Sequence, residues 1–177
     1  EPKVTFVPTP IGNLGDITVR GKEALAEADC IYAEDTRTSR KLLNLLGIQG
    51  TLRSFHMHNE HDTLDQVIAS IQSSQGHVAL ISDAGTPGIS DPGFLLVRAC
   101  IEAGIQVESL PGATAIIPAL VGSGIPCDRF VFEGFLPVKK GRKKRIESWV
   151  EETRTLAFYE SPHRIAKSLK ECAEAMG

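Results

Sequence analysis

Short apolar runs rich in β-branched and aromatic residues recur along the chain. Between them, apolar residues fall at helical spacing, a pattern that predicts alternating strands and helices. Val4 to Val7 predicts the first strand and Val19 to Ala28 a helix. Cys30 to Ala33 predicts a strand, Thr36 to Leu46 a helix, Leu52 to Phe55 a short strand and Leu64 to Gln72 an amphipathic helix. His77 to Ile81 and Gln106 to Leu110 predict two more strands, each followed by a helix, at Gly93 to Ala103 and Ala113 to Val121. Repeated β-α-β units of this kind imply a mainly parallel sheet with helices on both faces, an α/β fold. Past Gly122-Ser123-Gly124-Ile125-Pro126 the pattern restarts, because glycine and proline together end a helix. Strands at Phe130 to Phe132 and Thr155 to Tyr159 then alternate with helices near Lys144 to Glu152 and from Pro162. The expected division is therefore 1–122 and 126–177, the second part an incomplete α/β domain, since two strands and two helices bury little core by themselves.

Composition adds limits. The 177 residues are 42% hydrophobic and 23% charged, close to ordinary globular averages, which excludes collagen, coiled coil and disorder. No apolar run is long enough to predict a membrane span, and no secretory leader is visible. The first residue is Glu1, so a processed or trimmed start is expected. Cys30, Cys100, Cys127 and Cys172 are scattered without a paired spacing, which argues against a zinc site or disulfide framework and predicts a cytoplasmic setting. The net charge is −3, yet Lys139, Lys140, Arg142, Lys143, Lys144 and Arg145 put six cations into seven positions. Removing those six leaves −9 for the rest. A dense positive patch on an acidic chain points to a defined anion-docking place.

Ligands of parallel sheets bind beyond the carboxyl ends of strands, and four predicted strand ends carry unusual loops. The first, Pro8 to Asp16, combines prolines with glycines; it is neither a dinucleotide fingerprint nor a phosphate-binding P-loop, and a plain tight turn would also account for it. The second, Ser82 to Gly93, is made of small residues whose backbone N–H groups can form a polar concavity. Asp91 with Pro92 also reads as an ordinary helix cap. The third, Leu110 to Ala115, is a glycine turn feeding a small-residue helix start. The fourth, Ala33 to Lys41, holds Glu34, Asp35, Arg37 and Arg40, and a capped helix with surface ion pairs explains it equally well. His56, His58 and His61 do not have the spacing of an open three-ligand site, so a polar loop and no metal are expected. His163 stands at a helix start, either as a base or as a polar end residue.

Seven ordered segments together resemble a known family. They are V-P-T-P-I-G-N-L-G-D, Y-A-E-D-T-R-T-S-R-K-L-L, H-N-E, I-S-D-A-G-T-P-G-I-S-D-P-G, L-P-G-A-T-A, F-x-F-E-G-F-L-P-x-K-K-G-R and F-Y-E-S-P-H-R-I, running from Val4 to Ile165. The chain resembles the bacterial small-subunit ribosomal RNA methyltransferase I family, a branch of the tetrapyrrole (corrin/porphyrin) methylase superfamily. The resemblance implies two α/β domains, S-adenosyl-L-methionine bound between them, a homodimer, and methylation of a cytidine ribose 2′-hydroxyl in 16S rRNA of the small ribosomal subunit. Members run longer than this chain, so it is expected to stop inside the second domain. The first loop departs from the G-x-G-P-G-D of the corrin and porphyrin branch. A tetrapyrrole-precursor methyltransferase and a non-catalytic RNA-binding fragment are the alternatives.

The expected cofactor contacts are Pro10, Asp83, Ala84, Gly85, Ile89, Ser90, Asp91, Pro111, Gly112 and Thr114, faced by Phe132, Glu133, Gly134 and Tyr159. Asp35 and Glu34, then His163 and Glu160, are the candidate proton acceptors, because a ribose hydroxyl must lose its proton to attack. Arg37, Arg40, Lys139, Lys140, Arg142 and Lys143 are the expected phosphate contacts.

Overall fold

A computed structural model describes residues 2–55, 60–74, 76–90 and 93–177, with the side chains of 60–63 and 74 outside that description. The chain forms two units, 1–115 and 116–177.

The first unit is a five-stranded sheet: β1 (Lys3–Phe6), β2 (Cys30–Ala33), β3 (Leu52–Ser54), β4 (His77–Ile81) and β5 (Gln106–Ser109). The spatial order is β3-β2-β4-β1-β5, and every neighbouring pair is parallel. Parallel strands need crossovers, supplied by α1 (Val19–Glu27), α2 (Thr36–Leu46), α3 (Glu60–Ser74) and α4 (Phe94–Glu102). The period-two geometry of a strand sends alternate residues to opposite faces, and both faces are covered. Val4, Phe6, Tyr32, Val78 and Leu80 pack with Val67 and Ile71 of α3 and Leu96 and Cys100 of α4. Val7, Ile31, Ala33, Ala79 and Ile81 pack with Leu25 of α1 and Leu43 and Leu46 of α2.

Local chemistry sets the helix ends. The Thr18 hydroxyl accepts from Gly21 N and opens α1. The Asp35 carboxylate accepts from Arg37 N and Thr38 N and opens α2, satisfying amides that have no partner within the helix. Gly47, at φ 70°, closes α2 in the left-handed region that glycine tolerates best.

The second unit contains α5 (Ile116–Ser123), β6 (Phe130–Phe135), α6 (Arg142–Glu147), β7 (Thr155–Tyr159) and α7 (Ile165–Met176), with β6 parallel to β7. Leu136, Ile146, Trp149 and Cys172 form its small buried core. The expected boundary at 122 is corrected to 115, because α5 packs against β7 and so belongs with the second unit. The helix expected at Lys144 to Glu152 begins earlier, at Arg142, since Gly141 in the left-handed region turns the chain into it.

Candidate functional site

In the first unit the loops leaving β1, β2, β4 and β5 meet at the carboxyl edge of the sheet. The β4 loop is the hub. Thr9 N donates to Gly85 O at 2.9 Å and Gly85 N returns a bond to Thr9 O at 3.0 Å, so the β1 and β4 loops pair as a short antiparallel bridge. The Thr9 hydroxyl, fully buried, donates to Ser82 O at 3.2 Å. The Thr86 hydroxyl donates to Ala113 O at 3.0 Å, tying the β4 loop to the β5 loop. Asp35 N donates to Asp83 Oδ1 at 3.1 Å, tying it to the β2 loop.

Glycine is needed where these loops touch. A Cβ on Gly112 would lie 2.6 Å from Pro8 Cβ and 2.8 Å from its Cγ, so the β5 loop can pass the β1 loop only without a side chain. Gly85 has φ +84°, and a Cβ there would sit 3.4 Å from Ile11 Cγ2.

The rim thus brings together Glu34, Asp35, Asp83, Ala84, Gly85, Gly112 and Thr114 from loops far apart in sequence. Pro10 and Thr114 are half-buried, Gly85 is buried, and Asp83, Ala84, Ile89, Pro111 and Gly112 are exposed. Ser90 Oγ is buried and has no hydrogen-bond partner among the described residues. A buried, unsatisfied hydroxyl costs free energy until a partner arrives, which suits a polar ligand. Asp91, His56 and His58 lie outside the described residues, as does the side chain of His61. Among the described residues, no group of three His, Cys, Asp or Glu is placed to hold a metal ion.

Asp35, a candidate proton acceptor, caps its helix and pairs with Arg37, as the surface ion-pair reading of this segment allows. Its Oδ1 accepts from Arg37 N at 2.8 Å and Arg37 Nε at 3.3 Å, and its Oδ2 accepts from Arg37 Nη2 at 3.1 Å. The Arg37 side chain, and then its amide, hold the carboxyl below the ordinary aspartate range. Arg37 is thereby engaged with Asp35, and Arg40 Nη1 donates to Gly50 O at 3.0 Å.

In the second unit, Phe132, Glu133 and Gly134 lie on β6 and Tyr159 ends β7. The Tyr159 ring meets Phe132 edge-on at 5.1 Å and Phe135 at 5.4 Å. Glu133 pairs with Arg145 at 2.9 Å. His163 is exposed, and its amide donates to Ser161 Oγ at 3.3 Å. A groove of about 660 Å³ between α6 and α7 is lined by Val138, Ile146 and Val150 together with Lys139, Lys143 and Lys167.

The basic stretch is not uniform. Lys139, Lys140, Lys143, Lys144 and Arg145 are exposed, but Arg142 is buried. Its expected role as a phosphate contact is corrected: the guanidinium donates to Glu160, Glu171, Ser168 and Pro137 O inside the unit. Sequence reading missed Thr9, Thr86 and Ser168; Glu160, a second candidate proton acceptor, has a buried side chain paired with Arg142 and Arg164. Thr9 and Thr86 sit inside segments that already stood out, but their partners are distant in sequence and no local spacing signals them.

The chain matches the family of tetrapyrrole (corrin/porphyrin) methylases over residues 3–177. Ribosomal RNA small subunit methyltransferase I of Haemophilus influenzae is 54% identical over 173 residues, which cover 97% of this chain and 61% of that protein. The protein of the same name from Escherichia coli O157:H7 is 51% identical over 97% of this chain and 60% of its own length. The chain therefore spans about 60% of the length of these curated relatives. The crystal structure of uroporphyrin-III-C-methyltransferase from Thermus thermophilus shares the fold, with a TM-score of 0.64, 21% identity, and coverage of 98% of this chain and 74% of that one. A five-stranded parallel sheet with a glycine-rich rim, matched from residue 3 to residue 177, makes this chain a member of the tetrapyrrole (corrin/porphyrin) methylase family.

Proposed function

We propose that the chain carries the donor-binding rim of an S-adenosyl-L-methionine-dependent methyltransferase, acting on a cytidine ribose 2′-hydroxyl in 16S rRNA of the small ribosomal subunit. On this reading it works in the cytoplasm as a homodimer. The observation that carries the reading is identity of about one half, over nearly the whole chain, to proteins named as small-subunit rRNA methyltransferases. The exposed lysines of the β6–α6 loop support it, because a tetrapyrrole precursor has less use for them than a phosphate backbone.

The bound donor supplies an already activated methyl group. What the protein must add is alignment and exclusion of water, and alignment contributes on the order of 7–11 kcal/mol in favourable cases. The bridged loops at Thr9, Gly85 and Gly112 form a stiff seat for that purpose, and Ser90 Oγ, without a hydrogen-bond partner among the described residues, offers a polar group to a ligand. Asp83 holds the β2 loop through Asp35 N, so the carboxylates of that loop keep a fixed place beside the seat. Glu34 and Asp35 are the first candidate proton acceptors; Arg37 occupies both Asp35 oxygens and lowers their basicity. His163 is the second candidate.

Calorimetry with S-adenosylhomocysteine tests the seat. Transfer of tritiated methyl to under-modified small subunits, with a porphyrin precursor as the competing acceptor, tests the substrate. Incorporation into RNA alone is expected. Incorporation into the tetrapyrrole alone would overturn the reading.

A further inference from the structure

One of the six clustered cations faces inward. Arg142, 6% exposed, is the first residue of α6. Its Nε donates to Glu171 Oε2 at 2.7 Å, its Nη1 to Pro137 O at 3.1 Å and Glu160 Oε2 at 3.2 Å, and its Nη2 to Ser168 Oγ at 2.6 Å. The Glu160 carboxylate has no exposed side-chain surface. It also accepts from Ser168 Oγ at 2.7 Å, Ser161 N at 2.7 Å and Arg164 Nε at 3.0 Å. Two cations and two anions balance, and the contacts join four places: the loop after β6, the start of α6, the end of β7 and the body of α7.

We propose that Arg142 is a positioning residue: held by Glu160 and Ser168, it fixes the β6–α6 loop so that Lys139, Lys140 and Lys143 meet RNA phosphates as a pre-arranged set. Lysine side chains lose much rotamer freedom on binding, and a loop that also had to order itself would add to that cost. The Pro137 carbonyl is gripped two residues before Lys139, and the guanidinium belongs to the residue just before Lys143. The grip therefore spans the segment that carries the exposed charges. This inference rests on the RNA reading above.

The test separates geometry from charge. Removing the anion at 160 should by Coulomb's law alone tighten phosphate binding nearby; loss of loop geometry does the opposite. In the full protein, with a labelled 16S rRNA fragment as probe, K139A/K140A is expected to weaken binding. E160Q and R142K are each expected to weaken it fivefold or more and to raise KM for RNA, with kcat at saturating RNA within twofold. Amide hydrogen exchange over 138–145 is expected to quicken in R142K. Should K139A/K140A bind RNA normally, the RNA reading of the loop fails, and this inference with it. Should K139A/K140A weaken binding while R142K and E160Q bind as wild type or tighter, the inference alone is overturned. Unchanged exchange in R142K would likewise overturn it, and that arm stands even if E160Q does not fold.

Discussion

Asp35 and Gly112 show how single residues divide the work at the rim. Asp35 caps α2, grips Arg37 and, through its amide, leans on Asp83. D35N should loosen the start of α2, seen as faster amide exchange at Arg37 and Thr38, with a modest loss of turnover. E34Q, by contrast, should cut methyl transfer about 100-fold, the scale of a lost general base. A larger loss in D35N than in E34Q would reverse the order of the two carboxylates. Gly112→Ala forces a Cβ onto Pro8, and overpacking of this kind costs about 1–3 kcal/mol. Thermal melts and calorimetry with S-adenosylhomocysteine should both register it. Gly122→Ala, where nothing lies within 4 Å, is the matched control and should be neutral or slightly stabilising.

Among elements, α2 and the β7–α7 corner depend on different forces. The buried face of α2 rests on Leu43 and Leu46 against Ile31 and Ala33 of β2. Leu43→Ala removes a fully buried side chain and should cost about 2–5 kcal/mol in denaturant unfolding. The corner depends on Glu160. Burial pushes its carboxyl up, but hydrogen bonds from Ser168, Ser161 N, Arg142 and Arg164 outweigh burial and hold it at about 2, against an ordinary 4.5. A depressed carboxyl contributes its stability in full above the unfolded value. As pH falls from about 4.5 to about 2, the unfolded chain takes up the proton first and that contribution is lost. E160Q takes away one of the two anions around buried Arg142 and leaves Glu171, so the loss near neutral pH is expected to stay below the roughly 3–5 kcal/mol of an uncompensated buried charge. The gap between variant and wild type should shrink through that acid window in pH-dependent melts.

At the scale of the whole molecule, an acidic chain that docks an anionic polymer must do so through a local patch. The triple variant K139A/K140A/K143A should flatten the log–log salt dependence of RNA binding by about 2, at roughly 0.7 per lost contact to a single strand. Donor affinity should stay unchanged, because no rim residue is altered. A flattened slope accompanied by lost donor binding would mean that the substitutions had disturbed more than the docking loop.

Much of this was legible in one dimension. β2, β4 and β7 begin and end at the residues where their apolar runs begin and end, and α2 runs between its capping aspartate and its closing glycine. These features are local: strand period, helix period and turn chemistry act over a few residues, so the order of letters carries them. Sheet order, the Thr9–Gly85 bridge, the clash that keeps Gly112 a glycine, and the transfer of α5 to the second unit are not local. Nor is the fate of Arg142, which looks like its five basic neighbours until Glu160, just past the following strand, and Ser168, on the following helix, fold around it. Sequence alone therefore determined which elements exist and that small, polar loops crown the sheet. Tertiary packing decided which of those groups meet and which cations face water, because burial and long-range hydrogen bonding arise only when distant segments come together.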